Sequence, residues 1–183
     1  EQKQYGGGGS SDYFKFEDKG VYKMRLLVQP KVVATHFFGK GNPSVVCVGM
    51  DEGCPYHKEE DKRPSIKLAT YIIDRNDGKV KMAELPLSIS YSLNDLQEDA
   101  DFAFDEFPMS YDVKVTYDPD NDDPKAKYRL TPSPKQEPLT DEEQTNLNEA
   151  MAKKNPEQYV EDKKNNQKKK SVATSTSGTD YPG

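Results

Sequence analysis

Every histidine and every cysteine of this 183-residue chain lies between His36 and His57, as His36, Cys47, Cys54 and His57. No other segment carries soft metal ligands, so this stretch constrains the fold more than any other. It closes in the knuckle Cys54-Pro55-Tyr56-His57, where a tight turn can aim two side chains at one point. Two thiolates and two imidazoles complete a tetrahedral set for Zn²⁺ and leave no position for water, which makes such a site structural rather than catalytic. The same residues are also compatible with four unrelated positions, or with a Cys47–Cys54 disulfide.

The length suits one domain with tails, and 33% hydrophobic against 32% charged residues implies a modest core. Two cysteines cannot build a secreted disulfide framework, and no apolar run reaches the ~18 residues of a membrane span. No signal peptide is visible, so the cytoplasm is the expected compartment. Residue 1 is a glutamate, which suggests that a few native residues precede it. The net charge of -6 argues superficially against nucleic acid. Its distribution argues otherwise: eleven acids against the single base Lys114 fall between Ser92 and Asp123, while Asp12–Tyr91 and Pro124–Leu139 together hold seventeen bases and twelve acids.

Residues 1–11, with Gly6-Gly7-Gly8-Gly9-Ser10, read as a flexible arm. From Tyr13 to Val28 a period of two puts Tyr22, Met24, Leu26 and Val28 on one face and Lys23 and Arg25 on the other. Val32 to Phe38 is a second strand that carries His36 and the aromatic pair Phe37-Phe38, and Ser44 to Val48 a short one that delivers Cys47. Ile66 to Arg75 and Lys79 to Leu85 flank Asn76-Asp77-Gly78, a hairpin signal. The spacing of Ile89, Leu93 and Leu96 predicts a helix from Leu87 to Glu98. Tyr111 to Tyr117 and Lys127 to Thr131 form a last hairpin with an acidic tip; Asp118, Asp120, Asp122 and Asp123 lack the glycine and the twelfth-position glutamate of a calcium loop. Residues 140–183 read as one short helix, capped by Thr140, followed by a disordered tail.

Short strands, a late helix and a metal ribbon between early strands predict an all-β fold with minor α: an OB-fold Greek-key barrel over residues 12–139, with an inserted zinc ribbon at 36–57 and one or two short helices. Several phrases carry a resemblance. Arg63-Pro64-Ser65, Ile73-Asp74-Arg75-Asn76-Asp77-Gly78-Lys79-Val80 and Tyr128-Arg129-Leu130-Thr131-Pro132-Ser133-Pro134-Lys135, followed by Leu139-Thr140-Asp141-Glu142-Glu143, resemble the single-stranded-DNA-binding (helix-destabilising) proteins of T-even-like tailed bacteriophages. That family has a zinc-containing OB-fold core with one histidine and three cysteines as ligands. His36, Cys47 and Cys54 match by order and type, and His57 stands in place of a cysteine. The family's basic N-terminal arm and acidic C-terminal tail are not visible in this chain.

The resemblance implies passive, stoichiometric binding of single-stranded DNA in replication, recombination and repair, with no enzymatic activity, no small-molecule substrate and no membrane. Replication or recombination proteins are expected partners of the C-terminal tail. Lys23, Arg25, Arg63, Lys67, Arg75, Lys79, Lys81, Lys127 and Arg129 are candidate phosphate contacts. Phe37, Phe38, Tyr71 and Tyr128 are candidate stacking platforms. A hairpin face gathering Lys67, Tyr71, Arg75, Lys79 and Lys81 is the expected groove. The alternative is a zinc-ribbon adaptor that docks on a polymerase or replisome component through its acidic block; a Mg²⁺-dependent nuclease lacks a matching base.

Overall fold

The computed structural model describes residues 12–37, 45–49, 54–58 and 63–175. Phe38 and the N-terminal arm lie outside the described residues. In chain order the elements are β1 (Tyr13–Phe14), β2 (Gly20–Leu26), β3 (Lys31–His36), β4 (Val45–Val46), a 3-10 turn (Pro55–Lys58), β5 (Ser65–Asp74), β6 (Lys79–Pro86), α1 (Leu87–Glu98), β7 (Tyr111–Tyr117), β8 (Tyr128–Gln136), α2 (Asp141–Lys153) and α3 (Pro156–Ser175). The fold is mostly β-sheet with minor helix. The strands form one mixed, unclosed sheet in the order β1-β6-β5-β2-β7-β8, with β3 on β5 and β4 on β3.

The ten-residue β5 is the spine. β2 pairs with its Ile72–Asp74 end and β3 with its Ser65–Ala69 end, so the two follow one another along the same edge, while β6 covers the other edge. Seven consecutive residues, Leu68 to Asp74, are buried, so both faces of β5 are covered. Leu68 and Ile72 join Met24, Leu26, Leu85, Val113 and Val115 in one core, closed by Ile89, Leu93 and Leu96 of α1. Ala69, Tyr71 and Ile73 join Leu27, Val33 and Met82 in a second core, closed by Leu147 of α2 and Tyr159 and Val160 of α3.

The α1 bounds and the Asn76-Asp77-Gly78 turn stand where the sequence places them; Gly78 adopts φ +72°, and its N–H donates to the Asp74 carbonyl at 2.8 Å. Thr140 and Glu143 form a reciprocal cap on α2. The tail differs from expectation. Residues 156–175 are helical, because Asn155 and Gln158 cap each other's backbone N–H at 2.8 and 3.2 Å, Pro156 takes the first helical position, and Tyr159 and Val160 anchor the helix on the sheet. Lys163 and Tyr159 both reach Glu84 of β6, the tyrosine at 2.9 Å.

The second core makes α2 an integral layer rather than an appendage. Leu147→Ala is expected to lower the unfolding free energy in urea by about 2–5 kcal/mol, the range for a truncated core leucine, whereas exposed Glu149→Ala is expected to change it by less than about 0.5 kcal/mol.

Candidate metal centre and basic sheet face

The candidate metal ligands come from three short pieces of backbone held in one ribbon. His36 is the last residue of β3. Cys47 follows β4 and is held by its N–H, which donates to the Ala34 carbonyl at 2.8 Å. Gly49, at φ +97°, bends the chain so that its N–H donates to the Cys47 sulfur at 3.4 Å and its carbonyl accepts from the Cys54 N–H at 3.1 Å. Cys54 opens the 3-10 turn that brings His57 back to it.

The ligating atoms of His36, Cys47, Cys54 and His57 all lie within 4.8 Å of one another. Cys47 Sγ is 2.9 Å from His57 Nε2 and Cys54 Sγ is 3.4 Å from His36 Nε2. A tetrahedral ion with bonds of 2.0–2.3 Å requires donors roughly 3.5 Å apart, so the cluster fits a metal ion in both chemistry and spacing. His36, Cys47 and Cys54 are buried, and both cysteines are free thiols, not a disulfide. Burial pushes the Cys47 thiol up while the Gly49 N–H pulls it down, with a net rise. Among the described residues no other group of three or more His, Cys, Asp or Glu is gathered tightly enough to hold an ion.

The expected groove does not assemble as one face. The Asp74–Lys79 register pairs Tyr71 with Met82 and Ile72 with Lys81, so Lys79 and Lys81 fall on the side opposite Lys67 and Tyr71. Lys81 is 8% exposed and bridges Asp74 and Asp77 at 2.8 and 2.7 Å. Tyr71 lies under α2 and donates its hydroxyl to the Ala150 and Lys154 carbonyls at 3.2 and 2.7 Å, which leaves no ring face for a base. Lys67 sits 3.7 Å from Glu84. Tyr128 stacks on Tyr117 at 4.9 Å and meets Phe16 edge-on at 5.2 Å; burial pushes its phenol up to about 12. Phe37 and Arg63 are exposed, and Lys127 is half-buried.

Another part of the sheet does collect cations. Lys23 of β2 pairs in register with Lys114 of β7, and Thr116 of β7 pairs with Arg129 of β8, which sets Lys23, Lys114 and Arg129 on the face away from the first core. All three are exposed, as are Val21, Thr116 and Thr131 beside them. At the inner margin Asp112 accepts from Arg25 Nε at 2.8 Å and Arg75 Nε at 3.1 Å, with Lys23 at 3.5 Å; Arg75 also pairs with Glu143 of α2. Arg25 is 2% exposed and donates onward to the Glu137 carbonyl at 2.6 Å, so its role is to hold the sheet together. Five cations thus face two carboxylates. At the Gly20 end the face stops at Lys19, which is tied to Asp118 and Asp120 at 2.8 and 3.9 Å. Lys114 is the one base inside the acidic block, and its alternation with Val113 and Val115 is the sequence signal that places it on the face away from the core.

Two predictions follow from these geometries. The purified chain is expected to carry one zinc ion per molecule by elemental analysis; removal with a chelator, or Cys54→Ser, is expected to lower the thermal midpoint and abolish stoichiometric zinc. For the ion cluster, burial pushes the Asp112 carboxyl up, but the Arg25 hydrogen bond and the charges of Arg75 and Arg25 outweigh it, so its pKa is lowered. A lowered carboxyl stabilises the fold fully above its unfolded value of about 4, and that contribution is lost as pH falls through that range and below. Asp112→Asn leaves Arg25 buried without its charge partner and is expected to cost about 3–5 kcal/mol at neutral pH, with a flatter stability profile between about pH 5 and 3 in urea titrations.

Comparison of the chain with protein-family models, with curated proteins and with solved structures gives no match. No helix among the described residues is long and apolar enough to cross a membrane. The molecule's own geometry therefore carries the functional reading.

Proposed function

We propose that this chain binds single-stranded DNA with little sequence preference, that its sheet is an OB-type Greek-key barrel, and that the metal in the ribbon is structural zinc. The observation that carries the proposal is the cationic face of β2, β7 and β8 in a chain whose net charge is -6. Lys23 and Lys114 stand opposite one another across two strands, a like-charge pair in which Asp112 at 3.5 Å offsets Lys23 and only a further anion would offset Lys114. A phosphate backbone supplies such anions, and its neutralisation releases counterions.

The topology supports the barrel. With β2 and β3 counted as one bent first strand, the order β6-β5-β2-β7-β8 becomes third, second, first, fourth, fifth, with α1 between third and fourth. The ribbon carrying the metal ligands interrupts the connection from first to second strand. OB domains commonly bind oligonucleotides on their second and third strands. Here α2 and α3 occupy that face, so the contact shifts to the first, fourth and fifth strands. The zinc, once bound, supplies no reaction; it fixes the ribbon that presents exposed Phe37 and neighbours Arg63. Coverage of strands during phage replication, recombination and repair is the role that the resemblance suggests, with no chemistry performed on the DNA.

Fluorescence anisotropy with a labelled oligo-dT of about 20 nucleotides and the matching duplex, at two salt concentrations, tests the proposal. Preferential, salt-sensitive binding to the single strand is expected. Lys114→Glu and Arg129→Glu are each expected to weaken it, and replacing one phosphate contact by alanine should reduce the salt slope by about 1. Absence of single-strand binding by folded, zinc-loaded protein would overturn the proposal.

A further inference from the structure

A groove of about 500 Å³ runs between α1 and the β7–β8 connection, lined by Ser88, Tyr91, Ser92 and Asp95 on one wall and Lys125 and Tyr128 on the other. A second, more open pocket shares Ser92, Lys125 and Tyr128 with it and reaches Asp123, Arg129 and Thr131. Resting on the single-strand reading above, we infer that this groove is a nucleobase subsite in which one base leaves the phosphate path, stacks on Tyr91, and is read by Asp95.

Four features point there. First, α1 buries Ile89, Leu93 and Leu96, and Tyr91 projects from the helix outside that stripe with 61% of its surface exposed. No aromatic ring, hydrogen bond or ion pair engages Tyr91 among the described residues, so its ring is open to a planar partner. Second, Ser88, Tyr91, Ser92 and Asp95 recur at helical spacing and so share one stripe of α1 that faces the groove. Third, Asp95 and Lys125 both line the groove and neither is paired with a counter-charge in the described structure. Fourth, Arg129 belongs both to the cationic face and to a neighbouring pocket that shares Ser92, Lys125 and Tyr128 with the groove.

The chemistry fixes the class of base. A carboxylate accepts hydrogen bonds and donates none, so Asp95 favours a base that presents an exocyclic amino group, such as cytosine N4, over thymine, whose single N3–H donor is flanked by two carbonyl oxygens that repel the carboxylate. Lys125 is free to take the phosphate or carbonyl oxygen alongside. The chain as a whole then tolerates any sequence along its cationic face and holds a modest preference at one position.

The test uses the full zinc-loaded chain with oligo-dC and oligo-dT of equal length in anisotropy titrations, together with photocrosslinking to a 5-iodocytosine-substituted strand and mass-spectrometric mapping. Tyr91→Ala is expected to weaken binding about 5- to 150-fold, the scale of one lost base stack, while Tyr91→Phe retains it. Asp95→Asn is expected to erase the oligo-dC preference without loss of oligo-dT binding, and the crosslink is expected at Tyr91 or Lys125. Because Tyr91 and Asp95 are exposed, an unchanged thermal midpoint confirms that each variant is folded. Tight binding that ignores Tyr91→Ala, with crosslinks confined elsewhere, overturns the subsite and leaves the single-strand reading standing. No binding of either strand by the unaltered chain overturns both.

Discussion

One carboxylate ties most of the molecule together. Asp112 of β7 faces Arg25 of β2, Arg75 at the end of β5 and Lys23, and Arg75 reaches on to Glu143 of α2. Three strands and a helix therefore share one buried charge cluster. Such a cluster contributes little net free energy, because desolvation offsets most of the attraction, but it strongly disfavours any register that leaves Arg25 without its partner. Its position also fixes the boundary between two surfaces. On one side, α2 and α3 cover the sheet with apolar side chains; on the other, Lys23, Lys114 and Arg129 remain in water.

The metal ribbon depends on the same frame at the far end of β5. β3 pairs with Ser65–Ala69 and carries His36 out of the sheet, and β4 pairs with β3 to bring Cys47 alongside. Two strand residues in β4 cannot hold such a hairpin by hydrogen bonds alone. A metal ion held by these four residues would do what a longer ladder does elsewhere, since its binding energy would become folding energy of the segment.

Much of this was legible in the chain. The clustering of His36, Cys47, Cys54 and His57 announced itself by confinement, α1 by its leucine and isoleucine spacing, the β5–β6 hairpin by Asn76-Asp77-Gly78, and α2 by Thr140 with Glu143 three positions on. The choice of covered face was not legible, because alternation says which residues share a side and not what lies over it. A signal existed nonetheless: β5 carries apolar residues at both parities, Leu68 and Ile72 against Ala69, Tyr71 and Ile73, the pattern of a strand buried on two sides. Asn155-Pro156-Glu157-Gln158 was a helix start hidden in a tail whose polar composition suggested disorder. Two anchors, Tyr159 and Val160, were enough to dock that helix, and no composition average registers two residues. The split of Lys67 and Tyr71 from Lys79 and Lys81 followed from the pairing register alone, which a one-residue slip would have reversed.

Among the described residues the main path of the unclosed sheet ends at β1 and at β8, and both ends are blunt. β1 offers two residues, too few to template another strand, and β8 carries Pro132 and Pro134, which have no N–H to donate and in strands normally turn that vacant side outward. A sheet with long, regular edges would recruit neighbouring chains by backbone pairing. At these two ends strand addition finds little regular backbone to pair with, which disfavours self-association by that route.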